Sequence, residues 1–208
     1  MRARCVGIQA SKPNAIRTAS IANKAVPRSA EVLTLFHHAK DYGITADNIT
    51  ADYGAAIDRC LKIVNTQTRG VGFLMRKNKV DVVRGRGRLA GKDRVVVSGG
   101  ADGDRELRAK NVIIATGSRV RPLPGVAIDG ERIISAREIW GVKELPKKIL
   151  IIGAGAIGLE FATVYSAYGV DVTVVSLAGH LSTRLRLAAR QIALVQAPAT
   201  TTALRSGA

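Results

Sequence analysis

Lys148-Ile149-Leu150-Ile151-Ile152-Gly153-Ala154-Gly155-Ala156-Ile157-Gly158-Leu159-Glu160 runs an aliphatic stretch directly into G-x-G-x-x-G. The four aliphatic residues predict a buried parallel strand. Beyond the glycines, Ile157, Phe161, Val164 and Tyr168 recur at helical spacing and would share one helix face. Gly169 supplies a helix stop, and Val170 to Val175 reads as a second strand. Together these make a βαβ unit of about thirty residues, the context in which such a glycine pattern has meaning.

Each glycine has a physical task. Gly153 permits the tight turn off the strand, Gly155 lets a pyrophosphate approach the backbone, and Gly158 lets the helix pack closely on the sheet. The helix start around Ala154, Ala156 and Ile157 then offers free N–H groups and a partial positive charge to phosphates. In an NAD site, an acidic residue about 20 positions on would grip the adenosine ribose hydroxyls. Ser176 stands at that place, no Asp or Glu follows Asp171, and the nearest arginine is Arg184. The pyrophosphate site is thus well marked, while the choice between NAD and NADP stays open.

A length of 208 residues suits one domain or two small ones. No apolar run approaches a membrane span. Cys5 and Cys60 give neither a disulfide framework nor metal-ligand spacing, and His37, His38 and His180 give no ligand constellation. The net charge of +16 suggests nucleic acid, but residues 1–30 hold six basic residues and no acid, and 172–208 hold four and no acid. The excess therefore sits in the ends rather than on one face of a domain, which disfavours a nucleic-acid partner.

Residues 1–30 are Arg-, Ala- and Ser-rich and weakly periodic. A mitochondrial transit peptide, an unfolded basic arm and a misread reading frame all fit them. Glu31 to Lys40 predicts a helix broken at Tyr42-Gly43-Ile44. A long helix follows Asp52-Tyr53-Gly54, with Ile57, Leu61, Val64, Val71 and Met75 on one stripe and Gly70 and Gly72 weakening its middle. Cys60 on that helix reads as a packing residue. Short strands are expected at Val80–Val83 and Arg94–Val97, with a turn at Ser98–Gly103. Arg84-Gly85-Arg86-Gly87-Arg88 resembles an RNA-binding arginine–glycine patch, but as a single copy without aromatics it reads as an exposed turn. Asn111–Ser118 predicts a second buried strand, Ser135–Trp140 a short helix, and Leu185–Val195 a helical turn or two. Pro198–Ala208 is low-complexity.

A strand ending in Ala115-Thr116-Gly117, a proline-containing connector and then a glycine-motif strand is a distinctive order. It resembles the flavoprotein disulfide reductases with two dinucleotide domains, and within them the dihydrolipoamide dehydrogenase family. Asp52–Ala56, Phe73–Lys79, Asn111–Ser118 and Gly153–Glu160 carry the likeness, which spans roughly residues 31–176. It implies an α/β fold of two partial Rossmann-like domains. Residues 31–121 would be an incomplete FAD domain with a β-meander, 122–147 a connector and 148–176 the first βαβ of an NAD(P) domain. The 1–30 segment would be a poorly patterned lead and 177–208 a disordered tail.

The resemblance implies two cofactors, FAD and NAD. Lys12, Gly87, Thr116, Gly117 and Ser118 match flavin-contacting positions. Gly153, Ala154, Gly155, Ala156, Ile157, Gly158 and Glu160, with Ser176, match the NAD segment. In such enzymes a C-x4-C pair passes electrons from dihydrolipoamide through FAD to NAD. Here, alignment on Val6-Gly7 and Ser11-Lys12 sets Ala3 and Ile8 where those cysteines belong, with Cys5 between them. One thiol cannot cycle as an intramolecular disulfide. Neither a flavin glycine motif before residue 1 nor the C-terminal domain with its His–Glu pair is present, so no catalytic residue is assigned. The expected chain is a piece of such an oxidoreductase, inactive as given. The alternatives are a non-catalytic dinucleotide-binding remnant and a related NADPH-dependent reductase. Full-length relatives imply a homodimer, lipoyl-bearing complex subunits as partners, and a cytoplasmic site, or the mitochondrial matrix if residues 1–30 are a transit peptide.

Overall fold

The structure is a computed structural model, and it describes residues 4–7, 15–100, 103–117, 120–121, 123–176 and 192–196. The chain divides into two compact units, Met1–Thr18 with Val64–Arg119, and Ala19–Ile63 with Val120–Ala208.

In the first unit, strand β1 (Arg4–Gly7) pairs in parallel with β2 (Asp81–Arg84). Three antiparallel strands then form a meander: β3 (Arg86–Leu89), β4 (Arg94–Ser98) and β5 (Arg105–Arg108). Its core is Val83, Val97 and Leu107, with Val95 packed against them. Two expectations fail here. Arg84-Gly85-Arg86-Gly87-Arg88 is not a turn: only Gly85 bends the chain, and Arg86 to Leu89 form a ladder with β4. Polar residues suffice for this strand because one of its faces meets solvent. Conversely, Asn111–Gly117 forms no strand, and Ile113 and Ile114 are 91% and 68% exposed. A strand needs a neighbour to satisfy its N–H and C=O groups, and no described strand pairs with this stretch.

The second unit holds a parallel sheet of β6 (Lys148–Ile152), β7 (Asp171–Ser176) and β8 (Ile192–Gln196), in that order. Helix α1 (Ala15–His37) belongs to this unit from Ala19, and α2 (Tyr53–Lys77) up to Ile63. Helix α3 (Ala156–Ala167) crosses from β6 to β7. The helix expected from Glu31 starts sixteen residues earlier, at Ala15, and ends at His37, followed by a 3-10 turn over Ala39–Tyr42. Its buried positions are Ala22, Ala25, Val26, Ala30 and Leu33. Their spacing is helical, but three of the five are alanines, too small to stand out as an apolar stripe. Pro27 lies inside this helix. Ser135–Trp140 yields only a 3-10 turn, Glu138–Gly141. The helix expected over Leu185–Val195 gives way, in its described part, to β8, whose Ile-Ala-Leu-Val continues the apolar parallel ladder beside β7.

Five aromatic residues of the second unit, Tyr53, Trp140, Phe161, Tyr165 and Tyr168, pack as one cluster around α3. The Tyr53 ring lies 5.8 Å from Tyr165 and 5.2 Å from Tyr168, and Trp140 lies 5.1 Å from Phe161. Each such pair adds about 0.5–1.5 kcal/mol beyond the area it buries. The Tyr53 hydroxyl is buried without a hydrogen-bond partner, and burial, reinforced by the phenols beside it, pushes its pKa well above the ordinary tyrosine value. Removing a buried, unpartnered hydroxyl relieves its desolvation cost. The Y53F variant is therefore expected to unfold at the wild-type urea midpoint or above it. A clear drop in that midpoint would show that the hydroxyl is satisfied after all.

Candidate functional site

The glycine turn sits at the carboxyl end of β6, where β7 runs alongside. Ile149 and Ile151 pair with Val172 and Val174, which are fully buried, and this face meets α3. Leu150 and Ile152 point the other way and are 59% and 46% exposed, so the strand expected to be buried is covered on one face only. Parallel sheets normally bury both faces.

Gly153 leaves the strand with φ of +114°, a conformation that residues with a side chain rarely adopt, and its N–H donates to the Val175 carbonyl at 2.8 Å. That bond ties the turn to β7. Gly158 packs on the same turn: a Cβ there would overlap the Gly153 carbonyl oxygen and lie 3.4 Å from Ile151 Cγ2. Close helix–sheet packing, expected of the third glycine, is thus the geometry found.

Gly155 caps α3 in an extended conformation, with no side-chain hydrogen bond and open space where its Cβ would be. The first helical hydrogen bond runs from the Leu159 N–H to the Gly155 carbonyl at 3.0 Å. The preceding N–H groups, from Ala156 to Gly158, have no carbonyl within the helix to bond. Buried Leu159, Ala162, Val164 and Tyr165 anchor the helix. Ile157 lies on the same side of the helix as Phe161 and Val164, as expected, but it is 49% exposed at the open end while those two are buried. The helix is gripped by the sheet on one side and by Tyr53 and Trp140 on another, so its buried surface is wider than one stripe, and Ile157 is exposed because it lies in the first turn.

Ala154 is buried beneath the turn and Ala156 is exposed on it. Glu160 is half-buried, with Oε1 3.9 Å from the Nζ of Lys24, whose side chain is 80% exposed. Such a pair contributes well under about 1 kcal/mol. Ser176 ends β7, one residue beyond the Ile152–Val175 pair, so its backbone lies beside the turn. The structure thus brings Gly153 to Glu160 and the Ser176 backbone to one sheet end. Of the flavin-matched positions, Gly87 lies in β3, Thr116 and Gly117 end the unpaired stretch in an exposed conformation, and Lys12 and Ser118 fall outside the described residues. Sequence reasoning missed the Val175 carbonyl that anchors the turn, since nothing in a residue's identity announces which carbonyl it offers. It also missed the support from Tyr53 and Trp140, contacts made across long stretches of sequence.

No group of His, Cys, Asp or Glu among the described residues could hold a metal ion, and no described helix is long and apolar enough to cross a membrane. Cys60 is 1% exposed, and burial raises its thiol pKa, which suits the packing role expected of it.

A parallel βαβ unit with a glycine turn, an open helix end and a tight helix–strand approach defines a dinucleotide-binding fold, and comparison with known proteins agrees. The family described as pyridine nucleotide-disulphide oxidoreductase matches residues 3–197. A dihydrolipoyl dehydrogenase of Mycobacterium bovis is 42% identical over 156 residues, which cover 74% of this chain and 33% of that protein. One from Chlorobaculum parvum is 38% identical over 157 residues, 76% of this chain and 34% of its own. The crystal structure of LpdA from Mycobacterium tuberculosis superposes with a TM-score of 0.79 at 25% identity, over 94% of this chain and 45% of that one. The HOCl-induced flavoprotein disulfide reductase RclA from Escherichia coli, 20% identical, shares the fold with a TM-score of 0.71 over 92% of this chain and 43% of that one. The chain belongs to the pyridine nucleotide-disulphide oxidoreductases, and its α/β fold is that of partial Rossmann-like domains. It spans about a third of the length of the curated relatives it matches.

Proposed function

We propose that this chain is the cofactor-binding part of a dihydrolipoamide dehydrogenase-like flavoprotein, and that its second unit binds the pyrophosphate of NAD on the α3 N-terminus. The observation that carries this reading is the open turn at Gly155, held in place by the Gly153 bond to Val175 and by the absence of a Cβ at Gly158. The free N–H groups of Ala156 to Gly158 would bind the phosphate oxygens, and the end of β7 at Ser176 would face the adenosine ribose. NAD, when bound, supplies the hydride acceptor; the protein's part is to hold and orient it. Residues 31–121 would form part of an FAD domain, to which Lys12, Gly87, Thr116, Gly117 and Ser118 would contribute, and residues 148–176 the first βαβ of the NAD domain.

The whole protein's reaction would oxidise dihydrolipoamide to lipoamide through a redox disulfide and FAD, with NAD reduced. Its partners would be a second copy and lipoyl-bearing subunits, in the cytoplasm or the mitochondrial matrix. Cys5 and Cys60 are the cysteines of the 208 residues, and their spacing is not that of a C-x4-C redox pair. Purified, the chain is expected to bind NADH saturably, as read by enhanced nicotinamide fluorescence, yet to form no NADH from dihydrolipoamide and NAD with FAD added. Turnover would overthrow the inactive reading. Tighter binding of NADPH than NADH would instead favour the NADPH-dependent reductase.

A further inference from the structure

The arginine run at residues 84–88 is left unexplained by dinucleotide chemistry, and its place in the sheet gives it a meaning of its own. Side chains alternate along a strand, so the observed register fixes which residues share a face. Arg86 and Arg88 of β3 lie opposite Ser98 and Val96 of β4, while Val96 and Arg94 lie opposite Glu106 and Arg108 of β5. All seven therefore stand on one face of the meander. The other face carries Val95, Val97 and Leu107, packed with Val83 in the core.

The outer face thus holds four arginines and one glutamate. Glu106 is already shared: its Oε2 lies 3.7 Å from Arg94 Nη1 and its Oε1 3.5 Å from Arg108 Nε. Arg86 and Arg88 are exposed, and no acidic side chain among the described residues pairs with them. On one strand they stand about 7 Å apart, the spacing at which alternate residues of an extended peptide present their side chains.

We propose that this face docks an acidic protein segment in extended conformation, whose carboxylates pair with Arg86 and Arg88. Guanidinium forks suit planar carboxylates, and Glu106 between two of them shows that this face accepts one. A flat sheet face suits an extended polymer rather than a small anion, which would need a concave site. Nucleic acid fits less well. The seven residues include no aromatic on which a base can stack, and Glu106 would repel phosphates.

The test is a titration of the full chain against a labelled peptide of alternating Glu and Ser, at physiological ionic strength, with labelled oligothymidine in parallel. The R86E/R88E variant is expected to bind the peptide at least about tenfold more weakly, and R86Q/R88Q to lie between it and wild type. Reversing two exposed charges outside the meander with K40E/K62E, a change in net charge equal to that in R86E/R88E, is expected to change the affinity by less than about twofold, since the pairing is with particular guanidinium groups rather than with net charge. Far-UV circular dichroism checks that each variant folds, and R86Q/R88Q carries the test if the reversal does not. Absence of peptide binding, equal losses in K40E/K62E, or tighter binding of oligothymidine would each overturn the proposal.

Discussion

The G158V variant is expected to lose dinucleotide binding by at least about tenfold and to unfold at a lower urea midpoint. The Gly158 position faces the Gly153 carbonyl, and a Cβ there would also lie 3.2 Å from the Gly153 carbonyl carbon. Backbone atoms cannot swing aside as a long side chain can. Gly153 is further pinned by its bond to Val175 and by its positive φ. The helix must therefore lift from the sheet or the turn must open. Overpacking of this kind typically costs about 1–3 kcal/mol of stability. A displacement that turns the Ala156 to Gly158 N–H groups away from the phosphates adds the loss of affinity, about 1.4 kcal/mol for each tenfold. Wild-type NADH affinity and midpoint in G158V would show that the helix does not depend on this close approach.

The second large effect is expected from S176E. If β7 ends beside the adenosine ribose, a carboxylate there can accept hydrogen bonds from both ribose hydroxyls. Hydrogen bonds to charged groups contribute about 1.5–3 kcal/mol, so NADH should bind about tenfold more tightly or better. NADPH should bind more weakly, because the same carboxylate repels the 2′-phosphate. The quantity to measure is the ratio of NADH to NADPH affinity in wild type and variant. An unchanged ratio would mean that the ribose lies elsewhere and that Ser176 has no part in cofactor choice.

The central βαβ was legible because its signals are local. Strand, glycine turn, helix and second strand follow one another within thirty residues, and each glycine answers to geometry inside that span. What misled sequence reasoning depended on distant partners. Ile113 and Ile114 have the composition of a buried strand, yet whether a strand forms rests on a neighbour that composition cannot name. Arg86 and Arg88 have the composition of a turn, yet β4 pairs with them and they become strand. The alanines of α1 bury a helix face without the large side chains that mark one. Leu150 and Ile152 read as core because the run is uniformly aliphatic, although only one face of β6 is covered. Ile157 shares a helix side with Phe161 and Val164 yet is exposed, because it stands in the first turn of α3, ahead of the residues that Tyr53 and Trp140 cover.

The most direct measurement is the NADH affinity of G155D, by calorimetric titration beside wild type. Gly155 has an ordinary φ of −75° and open space around its missing side chain, so the fold should accept the change. Asp is also a favoured helix N-cap, so α3 should be no less stable. The carboxylate would occupy the ground proposed for the pyrophosphate and repel it. The expected result is saturable NADH binding by wild type, lost in G155D with the urea midpoint unchanged. Equal binding by both proteins would mean that the α3 N-terminus is not the dinucleotide site.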